Sequence, residues 1–244
     1  MAKNTALVTG GGRRLGKAIA LALARAGLDV VVHCNRSAKD ARKTASEIRA
    51  LGRRAWVLEA DLSDPVQAQA LFALARRAAG RIDVLVNSAS VFKESRLSSF
   101  TPEELSEAVA LNAMAPLLLT RAFARQKSAD CVVNLLDCRI ADYDAKHAAY
   151  HLSKRMLFTI TRMSAIEFAP RVRVNAVAPG LILPPEGESG AYLERLKHTN
   201  PLGTHGSAQD VAEAVLFLVQ SPFVTGQVLY VDGGRHMKRT IYAD

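Results

Sequence analysis

Short apolar runs alternate with longer amphipathic segments along this chain, and this alternation restricts the fold more than any other feature. The apolar runs predict β-strands at 6–9, 29–33, 55–59, 82–87, 131–136, 173–178 and 227–231. Apolar residues at helical spacing predict helices at 15–26, 38–51, 65–79, 102–125, 149–169 and 208–220. Strands joined by such helices run parallel through right-handed crossovers. The pattern therefore predicts an α/β fold with a doubly wound parallel sheet and helices on both faces.

The size and composition fit one enzyme-sized domain, which we predict to cover residues 1–244. Of the 244 residues, 49% are hydrophobic and 23% charged, as in an ordinary globular protein. No apolar stretch is long enough to cross a bilayer and the N-terminal residues show no leader pattern, so we expect no membrane partner and a cytoplasmic location. The three cysteines form no CxxC pair, so we expect neither a disulfide framework nor a metal site.

The chain is basic, with a net charge of 32 − 23 = +9. Such a charge is compatible with nucleic-acid binding, with an anionic cofactor or with a generic soluble surface. No helix-turn-helix, aromatic RNA-binding signature or continuous basic stripe accompanies it, so we predict no nucleic-acid partner.

Glycines cluster directly after the first predicted strand, in the run TGGGRRLG at 9–16. A glycine-rich turn between a strand and a helix allows backbone N–H groups and the positive end of the helix dipole to bind a pyrophosphate. The spacing is close to TGxxxGxG, with Arg14 in place of the middle glycine. We interpret the run as a dinucleotide-binding loop; a plain turn is the alternative.

The residues after the second predicted strand indicate which dinucleotide binds. An acidic residue there would bind the adenosine ribose and repel a 2′-phosphate. The chain instead has the run HCNRS at 33–37, whose cation and hydrogen-bond donors suit a phosphate. We therefore predict NADPH as the cofactor. Alternatively, Arg36 is only a solvated loop residue.

Tyr150 and Lys154 lie four residues apart and so share one face of the predicted helix 149–169. A free phenol has a pKa of about 10, and a nearby cation favours its ionised form, so Tyr150 can serve as a general acid. The pair alone is weak evidence, because both residue types are common. Its place after the fifth strand of a chain with a phosphate loop strengthens the interpretation.

Taken together, these motifs resemble the short-chain dehydrogenase/reductase family over nearly the whole chain. The resemblance rests on the runs 9–16, 87–90 and 231–234, on Asn112, on Tyr150 with Lys154, and on Pro179-Gly180. It implies a Rossmann-like seven-stranded sheet, a homotetramer, Tyr150 as proton donor, Lys154 as a ribose ligand that lowers the tyrosine pKa, and Asn112 as support for a proton-relay water. The implied cofactor contacts are Gly10, Arg13, Arg14, Leu15, His33, Asn35, Arg36, Ser37, Asp61, Leu62, Asn87, Ala89, Ser90, Tyr150, Lys154, Pro179, Gly180 and Leu181.

The chain departs from the family at one catalytic position. Where the family has a serine, 13 residues before the tyrosine, this chain has Asp137. A carboxylate within hydrogen-bond distance would destabilise the negative charge that grows on the oxygen of a ketone during reduction. It suits instead a substrate with N–H groups, or a C=N bond whose nitrogen gains a proton as hydride reaches the carbon.

Asp137, Arg14, the run 33–37, Phe92 and the ending 232–236 resemble the pteridine reductases, especially the bacterial pteridine and dihydromonapterin reductases. This resemblance implies NADPH-dependent reduction of dihydropterins, with dihydrofolate as a secondary substrate. The implied substrate contacts are Arg14, Ser90, Phe92, Asp137 and Tyr150, with Phe92 stacked on the pterin and Asp137 paired with Tyr150 in proton delivery.

Two other functions stay open at this level: reduction of a carbonyl substrate such as a 3-oxoacyl thioester, sugar or steroid ketone, and a non-catalytic regulatory protein that binds NADPH. Single residues also have plainer alternatives. Phe92 could be a core aromatic, Asp137 a turn cap, and the loop 181–190 either a lid or ordinary surface.

Overall fold

The computed structural model describes residues 5–238. Within them, seven parallel strands form one sheet in the order β3-β2-β1-β4-β5-β6-β7, which confirms the predicted fold class. The strands are β1 Thr5–Val8, β2 Asp29–Cys34, β3 Ala55–Glu59, β4 Val84–Asn87, β5 Cys131–Leu135, β6 Arg173–Pro179 and β7 Val228–Val231. β1 and β2 are buried throughout, since both faces of a parallel sheet are covered; this explains their continuous apolar runs.

Helices cover both faces of the sheet. They are α1 Arg14–Arg25, α2 Ala38–Ala50, α3 Pro65–Ala79, α4 Pro102–Val109, α5 Ala115–Ala124, α6 Ala148–Glu167, α7 Ala191–Leu196 and α8 Ala208–Gln220. Successive strand side chains point to opposite faces, so Val8 packs against the α1, α2 and α8 layer while Leu7 packs against α3 and α5. No helix within 5–238 combines the length and the apolarity that a membrane crossing needs.

Local capping explains why several helices begin where the sequence predicts. α4 begins after a capping box, in which Thr101 accepts from the Glu104 N–H and the Glu104 side chain accepts from the Thr101 N–H. Ser207 and Asp210 form the same reciprocal arrangement at the start of α8. These caps satisfy N–H groups that a helix end leaves without partners.

Two helical features differ from the prediction. The single helix predicted at 102–125 is divided by a π turn at Ala110–Met114 into α4 and α5. A π turn adds a residue within a run that is helical on both sides, so the apolar spacing of the flanking turns still predicts one helix. The short helix α7 was not predicted, because its six residues are too few to show a helical period.

The strand order places one edge of the sheet in position to bind a ligand. β1 pairs with β2 on one side and with β4 on the other. Strands are added in one direction up to β3 and in the other from β4 onward, so the topological switch point lies between β1 and β4. Ligands of such sheets bind outside the carboxyl ends of the strands at this switch point. The glycine-rich run, the segment after β4, Asp137 and Pro179-Gly180 all lie at this edge.

Candidate active site

Two glycines of the loop after β1 lie where a side chain would be strained or would collide with the backbone. Gly10 has φ +63, and a Cβ there would lie 3.1 Å from the Ala89 Cα. A Cβ on Gly16 would overlap the Gly10 carbonyl oxygen. The first turn of α1 carries no acidic residue, so its N-terminus is free of carboxylates that would repel an anion. The loop therefore fits the predicted pyrophosphate site.

His33 supports this loop through a hydrogen bond from inside the protein. Its imidazole is buried, and Nδ1 accepts a hydrogen bond from the Gly10 N–H at 3.1 Å. Nε2 therefore carries the proton and donates to the Ala60 carbonyl at 3.0 Å. Burial lowers the pKa of His33 to about 4, so the ring is neutral. The prediction of a direct cofactor contact is wrong for this side chain, because both ring nitrogens bind protein groups.

Polar residues that follow β2 and β3 lie close together, and their contacts with the cofactor stay predictions. Asn35 and Arg36 are exposed and interact with the Asp61 carboxylate, which Ser63 also binds. The hydrogen bonds from Ser63, with smaller contributions from Asn35 and Arg36, lower the pKa of Asp61. Leu62 is instead a buried core residue, so its side chain is not available to a ligand.

The two arginines of the loop reach the segment after β6. Arg14 has φ +52 and is the one non-glycine residue with a positive φ in the described part of the chain, which explains why the family prefers glycine there. Its Nη2 donates to the Pro184 carbonyl at 2.7 Å. Arg13 forms an exposed ion pair with Glu186 at 3.0 Å. The loop 181–190 thus lies against the phosphate loop.

The other predicted residue at the end of β6 is held by backbone packing. Gly180 donates its N–H to the Val231 carbonyl at 2.9 Å, and a Cβ at this position would collide with Asp232. Pro179 ends β6 and Leu181 is buried. The chain can follow this path only with a glycine at 180.

Thr9, which the sequence analysis did not select, joins β1 to the segment after β4. Its Oγ1 accepts from the Ser88 N–H at 2.9 Å and from the Ala89 N–H at 3.0 Å. In the same region the Asn87 side-chain amide donates to the Asn134 Oδ1 at 2.8 Å. A hydroxyl residue directly before the glycine run is the signal that could have identified Thr9.

Asn112 lies in the π turn, and its fully buried amide connects two segments of the site. Oδ1 accepts from the Ser90 hydroxyl at 3.0 Å and from the Val91 N–H at 2.9 Å. Nδ2 donates to the Val91 carbonyl at 3.1 Å and to the Ser153 Oγ at 3.0 Å. The side chain therefore ties the segment after β4 to α6; its predicted support of a relay water stays a prediction.

Asp137 contacts Tyr150 directly. The Tyr150 hydroxyl donates to Asp137 Oδ2 at 3.0 Å, while Oδ1 accepts from the Arg139 N–H at 2.8 Å and caps the short 3₁₀ helix Cys138–Ile140. Asp137 is thus the turn cap that the sequence offered as an alternative, and its other oxygen also contacts the phenol; its role in proton delivery stays a prediction. The carboxylate is therefore in direct contact with the phenol.

The charges around Tyr150 act against the expected lowering of its pKa. Burial and the Asp137 carboxylate raise the pKa of Tyr150 well above its ordinary value. Lys154 is buried, donates to the Leu135 carbonyl at 2.7 Å and lies 5.6 Å from the centre of the phenol ring. The prediction of a lowered phenol pKa is therefore wrong for this structure, because the phenol is buried and contacts the carboxylate rather than the ammonium. The phenol stays protonated at neutral pH.

Burial also changes the charge equilibrium of the lysine. It lowers the pKa of Lys154 to about 8, although Asp137 opposes this change. The ammonium form is therefore the main form at neutral pH but loses its proton under mildly alkaline conditions.

Phe92 lies at the surface of the site rather than in the core. Its side chain is 47% exposed, so the alternative of a core aromatic is wrong. The ring stacks on His147 with centroids 4.0 Å apart and meets Tyr150 edge to face at 4.7 Å. A small cavity of about 20 Å³, lined in part by Val91 and Ser95, lies beside Tyr150. Within 5–238 no group of three or more potential metal ligands is arranged to hold an ion.

Comparisons with known proteins agree with this architecture. Residues 11–236 match a family model described as enoyl-(acyl carrier protein) reductase. The chain is 36% identical over 239 residues to an uncharacterized oxidoreductase of Mycobacterium tuberculosis, covering 94% of this chain and 90% of that protein. It is 37% identical over 243 residues to a granaticin polyketide synthase putative ketoacyl reductase of Streptomyces violaceoruber, covering 95% and 96%.

A solved structure is similar over the same range. The crystal structure of FolM alternative dihydrofolate reductase 1 from Brucella suis, in complex with NADP, matches with a TM-score of 0.90 and 34% sequence identity. The match covers 96% of this chain and 95% of that one.

Proposed function

The chain belongs to the short-chain dehydrogenase/reductase family, and from that membership we propose that it reduces dihydropterins with NADPH, using Tyr150 as the proton donor. As a member of this family it is an NADP-dependent oxidoreductase. The observation that carries the choice of substrate is the hydrogen bond from the Tyr150 hydroxyl to Asp137.

The residues at the switch point fit NADPH, which supplies the hydride when bound. Gly10 has a positive φ and the first turn of α1 carries no acidic residue, so a pyrophosphate would lie against the N–H groups at the N-terminus of α1, with Arg14 nearby. Arg36 and Asn35 are exposed at the end of β2, where they would hold the 2′-phosphate. Lys154 would bind the nicotinamide ribose. NADP is bound in three similar solved structures.

The charge of Asp137 favours a nitrogen heterocycle over a ketone. A ketone gathers negative charge on its oxygen during reduction, and a carboxylate on the proton donor would oppose that charge. A pterin has an amino group and ring N–H groups that can donate to a carboxylate. Phe92, half-exposed beside Tyr150, has a face large enough to stack on a planar ring.

Proton delivery follows from the protonation states at the site. The raised pKa of Tyr150 keeps its proton on the phenol until a stronger base appears. The ring nitrogen of a C=N bond becomes such a base as hydride reaches the adjacent carbon, so the phenol then donates to it. The Lys154 ammonium, 5.6 Å from the ring, stabilises the phenolate that remains until solvent returns the proton.

The similarity to FolM alternative dihydrofolate reductase supports a pterin ring, whereas relatives called ketoacyl reductases favour a carbonyl substrate. Incubating the protein with NADPH and a panel of dihydropterins, dihydrofolate and 3-oxoacyl thioesters separates the two, with NADPH absorbance as the readout. We expect turnover on dihydropterins. Turnover on ketones alone would contradict the proposal, and NADPH binding without any turnover would favour the regulatory alternative.

The quaternary structure belongs to the same proposal. We expect the homotetramer that the family resemblance implies, and light scattering on the purified protein measures its mass directly.

A further inference from the structure

The segment between β4 and α4 carries two predicted substrate contacts, Ser90 and Phe92, but almost no regular structure of its own. Over 88–100 it contains one bridge residue, Ser95, which pairs with His147. A half-exposed aromatic ring on such a segment would sample several orientations unless other parts of the protein fixed the segment. A constant orientation of Phe92 therefore requires contacts from outside the segment.

Side-chain and backbone contacts anchor the segment to α6 on both sides of Phe92. Before it, Asn112 binds both backbone groups of Val91 and donates to Ser153 of α6. After it, the Ser95 N–H donates to the Lys146 carbonyl at 2.6 Å. The Phe92 segment is thus fastened to the helix that carries Tyr150.

Ser95 also caps α6 from a distant part of the chain. The Ala148 N–H donates to the Ser95 carbonyl at 2.9 Å, and the Ala149 N–H donates to its Oγ at 3.1 Å. His147 occupies the N-cap position but provides no side-chain cap. Ser95 therefore supplies the cap that His147 does not, and binds the N–H groups one and two residues before Tyr150.

His147 supports the Phe92 ring. The two rings stack at 4.0 Å with an interplanar angle of 17°. The imidazole is itself fixed, because its Nδ1 lies 2.9 Å from the Asp144 carboxylate, which also forms an ion pair with Arg139. Burial, reinforced by Arg139, lowers the pKa of His147, so the ring is neutral at neutral pH and stacks without a charge.

We propose that Ser95 and His147 are positioning residues that fix Phe92 edge-on to the Tyr150 phenol, and so hold the stacking surface and the proton donor at a constant separation. The 4.7 Å between the Phe92 and Tyr150 rings is the distance they maintain. A planar substrate stacked on Phe92 then meets a donor whose position is already set, which avoids ordering both groups during binding. This inference rests on the proposed function for its kinetic consequence, but its geometry is independent of it.

The kinetic experiment compares Ser95→Ala with Ser95→Thr, which keeps a hydroxyl, and with Ser98→Ala at an exposed position of the same segment. For Ser95→Ala we expect kcat to fall and the KM for dihydropterin to rise, each about three- to tenfold, with unchanged NADPH affinity. We expect Ser95→Thr to restore at least half of the loss and Ser98→Ala to match the wild type. Equal behaviour of Ser95→Ala and Ser98→Ala would overturn the proposal.

His147→Ala tests the stacking contact, with His198→Ala at an exposed site as the control. The KM for dihydropterin should rise about three- to tenfold with a smaller change in kcat, since Phe92 loses its support but Ser95 still caps α6. A general loss of stability would instead weaken NADPH binding and lower the melting temperature together, and that result would overturn the proposal.

A measurement without substrate separates this proposal from the function of the enzyme. In protein with ¹³C-labelled phenylalanine, Phe92 resonances are identified by their loss in Phe92→Leu. We expect His147→Ala to shift those resonances, because the ring current of His147 disappears. Unchanged resonances would overturn the stacking arrangement. Absence of pterin turnover in the wild type would overturn the proposed function and leave this measurement valid.

Discussion

The two halves of the ligand-binding edge are built in opposite ways. The nucleotide half, formed by β1, α1 and β2, depends on glycines: Gly10 has a positive φ, and Gly16 has no room for a Cβ. The catalytic half, formed by β4, β5 and α6, depends on polar side chains that are buried and hydrogen-bonded: Asn112 donates to Ser153, and Lys154 donates to a backbone carbonyl. A pyrophosphate can be held by backbone groups alone, whereas proton transfer needs side chains fixed within hydrogen-bond distance.

This comparison predicts that a substitution in the catalytic half can abolish turnover without changing NADPH affinity. In Tyr150→Phe, turnover of dihydropterin should fall about 10²- to 10⁴-fold, because the proton donor is lost. The nicotinamide fluorescence of bound NADPH should give an unchanged Kd. Tyr143→Phe, at a tyrosine that is 66% exposed, is the matched control. Near-normal turnover in Tyr150→Phe would remove the phenol from its role.

The converse substitution, in the nucleotide half, should reduce both stability and NADPH affinity. Gly16→Ala places a Cβ against the Gly10 carbonyl, so we expect the free energy of unfolding to fall by about 1–3 kcal/mol and NADPH affinity to fall at least tenfold. Gly190→Ala is the control, because nothing lies within 4 Å of its Cβ position and its φ is −57. Thermal melts and NADPH titrations measure both effects. Equal results for the two variants would contradict the packing argument.

Arg36 is an exception within the nucleotide half, because we expect it to bind the cofactor through its side chain. Arg36→Ala should weaken NADPH binding about ten- to a hundredfold and leave NADH binding unchanged, because only NADPH carries the 2′-phosphate. Loss of the guanidinium also leaves the Asp61 carboxylate without that cation. Calorimetric titration with both cofactors tests this. An equal loss for the two would show that Arg36 is only a surface residue.

The pH profile reports on Lys154 in the catalytic half. Since its pKa is lowered to about 8, the ammonium is present below that pH and is lost as the pH rises through it. We expect kcat/KM to fall about tenfold per pH unit above this pKa. Arg36→Ala keeps Lys154 and should show the same alkaline limb in steady-state assays at saturating NADPH. A flat profile up to about pH 9.5 would contradict the assignment.

Sequence patterns predicted what depends on periodicity or on short spacing. The order of strands and helices, the glycine loop, and Tyr150 with Lys154 all leave such signals. The contact between Asp137 and the phenol was expected from the family resemblance. Contacts between distant loops leave none. Ser95 caps α6 from 54 positions away, and Asn112 reaches Ser153 across 41.

The effect of burial on pKa values could not be predicted from the sequence either. A cation four residues from a tyrosine suggested a lowered phenol pKa, but the pKa depends on which group contacts the hydroxyl and on how deeply it lies. In the fold the carboxylate of Asp137 reaches the Tyr150 hydroxyl while Lys154 bonds to a carbonyl. The same reasoning missed that His33 lies inside the protein, because its strand is buried on both faces.

The most direct measurement replaces Asp137 by serine, which can still cap the short 3₁₀ helix but carries no charge. Wild type and Asp137→Ser are assayed with NADPH against a dihydropterin and a 3-oxoacyl thioester. If the carboxylate selects a nitrogen heterocycle, kcat/KM for the pterin falls about a hundredfold while ketone turnover rises. Undiminished pterin turnover in Asp137→Ser, or a wild type already active on the ketone alone, would contradict the account.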